Sequence, residues 1–174
     1  MIALRRERKI RVGDMLSFAF ENTATLTYQV QEMVFTERLT DADQVAHELD
    51  AYGRMLPDSH SLVATMLVEL TDPETVRDEL ARLDGLQQAI RLEIGGANPY
   101  YVTAEEIAGL DEDPSQPGPL VSVHVFRFRF NAEARDAFRD PAQPVELVVD
   151  HPEYADAAPI AGAARTALIA DLAL

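Results

Sequence analysis

The stretch LVSVHVFRFRF, residues 120–130, constrains this chain more than any other. At a period of two it puts Ser122, His124, Phe126, Phe128 and Phe130 on one face. Val121, Val123, Val125, Arg127 and Arg129 fall on the other. β-Branched and aromatic residues in that alternation are stable as a strand with a buried side, so the chain must build a sheet. A second run, SLVATMLVEL (61–70), is apolar on both faces and predicts a central strand covered on both sides, with Thr65 and Glu69 as polar exceptions. KIRVGDMLSFAFE (9–21) reads as a strand pair or one bent strand, with Gly13-Asp14 marking the turn or bulge. QQAIRLEI (87–94) and PVELVVDH (144–151) add two more strands. PYYVTAEEIAGL (99–110) predicts a short strand and then a helical turn capped by Thr103, with Glu106 completing an imperfect capping box.

Helices fill the intervals. Asn22 fits an N-cap for a helix running to about Leu39, and Asp41 caps a second over 42–54. DPETVRDELARLDG (72–85) has Asp72 as cap, Pro73 in the first turn and Gly85 as stop. Residues 132–140 and 158–172 predict two more helices. DEDPSQPGP (111–119) is an acidic, proline-rich loop. With no internal repeat and no linker, 1–174 reads as a single domain. The fold class expected is α+β, a mainly antiparallel sheet with helices packed against it.

Composition removes several functions. At 47% apolar residues the chain is too hydrophobic to be disordered. No apolar run approaches the roughly 20 residues of a membrane span, and no export signal opens the chain, so a cytoplasmic location is expected. The absence of cysteine removes disulfides, thiolate catalysis and cysteine ligation of metals or clusters by this chain. The sequence carries 15 basic and 30 acidic side chains, a net charge of −15. Five basic groups, Arg5, Arg6, Arg8, Lys9 and Arg11, fall within residues 1–11 beside one acid, Glu7. The rest is still more acidic and repels phosphate backbones, which argues against nucleic-acid binding. The basic end (1–11) reads first as a fraying, solvated terminus, with docking to an acidic partner as the alternative.

The helix after Asn22 raises the question of a site. At about 100° per residue, Leu26, Val30, Met33 and Val34 fall on one side and Ala24, Tyr28, Phe35 and Leu39 on the opposite one. Thr25, Gln29, Glu32 and Thr36 form a polar stripe between them. Two apolar stripes predict a helix held on two flanks, with the polar stripe facing solvent, a cavity or buried partners. Glu37 projects toward the Leu26 side. The candidate ligand-binding residues are Tyr28, Gln29, Glu32, Glu48 and Arg127. The weaker candidate metal ligands are His124 and His151, whose spacing demands no metal. His47 and Glu48 are sequence neighbours and point apart, so they cannot chelate together. A histidine on an aromatic face, as His124 is, reads first as a satisfied core residue. Asp150-His151 lacks a nucleophile with triad context, and Gly95-Gly96 lacks any nucleotide-binding spacing. No motif names a cofactor.

FENTATLTYQVQEM…ER, ELDAY…LPD, ATMLVE, VHVFRF and DHPEY together resemble an uncharacterised bacterial family classified as a domain of unknown function. The resemblance spans about residues 9–154. Genes of that family often lie beside those of rubrerythrin-like proteins and heterodisulfide-reductase-like iron–sulfur proteins. The resemblance departs in two places: family members usually carry a longer N-terminal helical segment, and the proline-rich loop replaces the region before VHVFRF. It implies a cytoplasmic, non-catalytic accessory or binding protein of a redox or metalloprotein system, with iron–sulfur or rubrerythrin-like proteins as partners. The alternative is an enzyme or metal-binding protein with a Glu/His/Gln site between the first long helix and the sheet. A third reading, a homo-oligomer subunit, predicts a large exposed apolar patch.

Overall fold

A computed structural model describes residues 2–70, 74–107 and 122–173, with the side chains of Ile2 and Ala3 left out. Among these residues eight strands make one sheet: β1 (Lys9–Val12), β2 (Leu16–Glu21), β3 (Ser61–Val68), β4 (Ile90–Ile94), β5 (Tyr100–Glu106), β6 (Val123–Arg129), β7 (Val145–His151) and β8 (Tyr154–Pro159). Their order in space is β1-β2-β3-β6-β5-β4-β7-β8, and every neighbouring pair is antiparallel. The sheet twists and curls until its two edges meet. There Tyr154 Oη, at the start of β8, donates to the Val12 carbonyl (2.8 Å) and accepts from the Met15 N–H (3.3 Å). The result is nearly a barrel.

Alternation decides what goes inside. Phe18 and Phe20 of β2, Leu62 and Met66 of β3, Leu92 of β4, Phe126 and Phe128 of β6 and Leu147 of β7 all turn inward and are buried in one core. Among the described residues six helices surround the sheet: α1 (Ile2–Glu7), α2 (Thr23–Thr36), α3 (Ala42–Gly53), α4 (Val76–Arg82), α5 (Ala132–Arg139) and α6 (Gly162–Asp171). Phe138 of α5 and Leu168 of α6 belong to the same core, with the Phe138 ring edge-on to Phe130 at 5.2 Å. The chain is thus α+β with a mainly antiparallel sheet.

Several expectations change. The basic end is not a solvated tail. Residues 2–7 form α1, and Arg8 is 4% exposed, its guanidinium bidentate on Asp171 of α6 at 2.6 and 2.8 Å. Thr103 caps no helical turn, because β5 runs unbroken through it and Thr103 pairs with Arg91. Sheet pairing overrides the local capping pattern there. Gln87 and Gln88 belong to a 3-10 turn (Leu86–Gln88), and β4 begins only at Ile90. A strand that was not expected follows His151: Pro152 and Glu153 turn the chain into β8, whose end takes Ala158 and Pro159 from the expected helix. β8 reads YADAAP, too poor in β-branched residues to announce itself. The expected Asp72 cap, Pro73 and the 111–119 loop lie outside the described residues.

Candidate functional site

α2 leaves β2 through a tight polar knot. Asn22 Oδ1 accepts from the Thr25 N–H, and Thr25 Oγ1 accepts from the Asn22 N–H, both at 2.9 Å, a reciprocal capping box. Thr25 also donates to the buried carboxylate of Glu21 at 2.5 Å, and Thr65 of β3 donates to its other oxygen at 2.9 Å. The first turn of α2 is thereby tied to the outer face of the sheet.

Beyond that turn the helix departs from expectation. Only Thr25 and Leu26 are buried, whereas Ala24 is exposed and Phe35 is 85% exposed. The two-flank grip is therefore overturned: on the Leu26 side only Leu26 is buried, with Val30, Met33 and Val34 half-buried, and Phe35 on the other side faces outward. The polar stripe still converges. Gln29, Glu32 and Thr36 line a groove of about 440 Å³ with Arg5 of α1, Met33, Glu37 and Tyr52 of α3. Tyr28 Oη donates to Glu32 Oε1 at 2.8 Å, and the Arg5 guanidinium lies 5.9 Å from the Tyr28 ring centre. The bond to Glu32, with the charge behind it, raises the phenol's pKa and keeps it protonated. Burial raises Tyr52 likewise, helped by the charge of Glu48 one turn earlier. Gln29 Nε2 is buried with no hydrogen-bond partner among the described residues.

Tyr28, Gln29 and Glu32 thus sit together, and Glu48 acts by its charge on Tyr52, which lines the same groove. The other candidates sit elsewhere. Arg127 donates to Ser61 Oγ (2.9 Å) and to the carbonyls of Arg54 (2.7 Å) and Leu56 (3.1 Å), tying the end of α3 to the sheet. Burial and the neighbouring Arg129 lower its pKa. His124 is buried on the core face, stacked on Phe126 at 6.1 Å, with Nδ1 against the Glu106 carboxylate. His151 Nδ1 accepts from the Glu153 N–H (3.2 Å) and Nε2 reaches the Asp84 carbonyl (3.1 Å), which suits the neutral ring with its proton on Nε2. Among the described residues no group of three or more His, Asp or Glu side chains is placed to hold a metal.

A second surface, not anticipated as a site, is apolar. Val30, Val34, Phe35 and Leu39 line a groove of about 740 Å³ along the outer side of α2. α2 ends earlier than expected because the chain closes a Schellman turn: Leu39 N–H bonds Val34 O (3.0 Å), and Arg38 N–H bonds Phe35 O (3.4 Å). Arg38 takes φ +53 there, a left-handed position that usually falls to glycine. No glycine marked the stop, so sequence gave no warning. On α3, none of whose residues is buried, Leu49 is 56% exposed.

An eight-stranded antiparallel sheet rolled nearly closed, with a helical pair projecting from its outer face, defines the class of fold. The chain belongs to the family described as "Protein of unknown function (DUF3501)", whose model matches residues 1–172. A crystal structure of a novel protein of unknown function from Burkholderia pseudomallei K96243 is similar in fold, with TM-score 0.86 and 30% identity, covering 98% of this chain and 86% of that one. No curated protein matches the chain. No helix among the described residues is long and apolar enough to cross a membrane.

Proposed function

We propose that this protein is a non-catalytic binding protein that recognises its partner through the projecting α2–α3 pair, as an accessory to redox metalloproteins. The observation that carries the reading is Phe35, 85% exposed beside a groove walled by Val30, Val34 and Leu39. Helices of 14 and 12 residues are marginal in water on their own, and here only the first turn of α2 is buried. Large apolar side chains rimmed by charge mark an interaction face. Residues 32–54 hold six acids (Glu32, Glu37, Asp41, Asp43, Glu48, Asp50) against Arg38 and Arg54, so the partner should offer an apolar pocket with a basic rim. His124 and His151 stand away from the polar groove, each already hydrogen-bonded, which favours binding over catalysis in that groove. The choice of rubrerythrin-like or iron–sulfur proteins as partners rests on the family's gene company alone.

The test is titration calorimetry of the chain against a purified rubrerythrin-like protein and a heterodisulfide-reductase-like iron–sulfur protein, with Phe35→Asp as the variant. Binding to one of them that Phe35→Asp weakens at least about 100-fold supports the reading, as for an interface hot spot. No binding to either, or binding indifferent to Phe35, removes it. A concentration-dependent dimer that Phe35→Asp dissolves would make a second copy the occupant instead.

A further inference from the structure

Arg165 is a buried cation for which the described residues supply no carboxylate within ion-pair reach. It lies near the start of α6 and is 7% exposed. Its Nη2 donates to the carbonyls of Phe138 and, at 3.3 Å, Asp140, where α5 ends, and the guanidinium sits 4.2 Å from the Phe138 ring centre. Those bonds offset the partial negative charge at the end of α5. They use one nitrogen. Nε is buried with no partner, and Nη1 makes no hydrogen bond among the described residues. A buried guanidinium left this open is costly unless something completes it.

The same side chain lines a cavity of about 520 Å³. One wall is the loop from Pro141 to Pro144, stiffened by its prolines, and the opposite wall is the first turn of α6. That helix begins without a side-chain cap, its N-cap residue being Ala161. Its first N–H groups therefore carry their partial positive charge with no side chain to accept from them. Gly162 takes φ +56, and a Cβ there would meet only open space. Two independent positive features thus border one concavity in a chain of net charge −15. Glu146, exposed, is the single carboxylate among its lining residues.

We propose that this cavity binds a small oxyanion, a carboxylate or phosphate group, held between Arg165 and the N-terminal amides of α6. Guanidinium and helix-start amides are the donors such groups take elsewhere. Burial lowers the Arg165 pKa against the opposing charge of Asp140, and a bound anion would offset more of that loss. The site is independent of the α2–α3 surface.

The test is an amide NMR titration of the full chain with inorganic phosphate and, separately, succinate. Saturable shifts of the Ala163 and Ala164 amides are expected with either anion at or below about 10 mM, and the stronger of the two arms tells phosphate from organic carboxylate. Thr166→Glu puts a carboxylate at an exposed position of the cavity lining without touching Arg165. It should weaken binding at least about tenfold, as should Arg165→Gln where circular dichroism shows that variant folded. No saturable shift with either anion up to about 10 mM, or an affinity unchanged in Thr166→Glu, overturns the proposal.

Discussion

Removing the Asp171 carboxylate leaves Arg8, between α1 and β1, charged, enclosed and without its bidentate partner on the last helix. Breaking one half of a buried pair costs about 3–5 kcal/mol, so Asp171→Ala should lower unfolding stability by that amount in urea titrations. Replacing both, as Arg8→Met with Asp171→Leu, should recover most of the loss, because no orphaned charge remains. Glu69 gives a pH-dependent counterpart. Lys9, Arg11 and Ser17 all donate to it at 2.7 Å, and the Lys9 and Ser17 hydrogen bonds, with both positive charges, hold its carboxyl at about 2. Its unfolded value lies near 4.5, so the group's stabilising contribution is complete above pH 4.5 and is lost as the pH falls toward 2. The stability gap between wild type and Glu69→Gln should shrink over that window. A gap that stays constant with pH would show that Glu69 acts through packing.

At the scale of elements, the two ends of α2 make opposite demands. Asn22→Ala removes a capping box and should destabilise by about 1 kcal/mol. Arg38→Gly relieves a left-handed residue and should stabilise by about 1 kcal/mol, read as a rise in denaturant midpoint. Phe35→Asp, on the same helix, should change stability by less than about 0.5 kcal/mol, because the ring packs against almost nothing. The Asn22 and Asp41 caps and most of the sheet were legible because side-chain oxygens at N-caps and period-two alternation are local signals. What was not legible depended on distance in sequence. α1 looked like a loose basic tail because its anchor, Asp171, is 163 residues away. The outward flank of α2 has the same apolar spacing as a buried one, and only tertiary packing distinguishes them. Gln29 and Glu32 could be placed on one stripe from spacing alone, but Arg5 and Tyr52, which complete their groove, could not. The Arg165 cavity joins α6 to a loop before β7, a pairing no local pattern announces.

For the whole molecule, the near-closed sheet gives a rigid body, and the polar knot of Glu21, Asn22, Thr25 and Thr65 roots a helical pair on it. Gly13 belongs to the closure: it takes φ +60, and a Cβ there would overlap Tyr154 Oη, the hydroxyl that joins the two sheet edges. A partner that reads an apolar, acid-rimmed projection needs this separation of stable body and exposed arm. Hydrogen–deuterium exchange of the chain with and without a rubrerythrin-like or iron–sulfur protein, the proposed partner, tests that division most directly. The account predicts new protection confined to residues 26–54 and little change in the sheet. Protection centred on any other surface, or none at partner concentrations that should saturate a micromolar site, would contradict it.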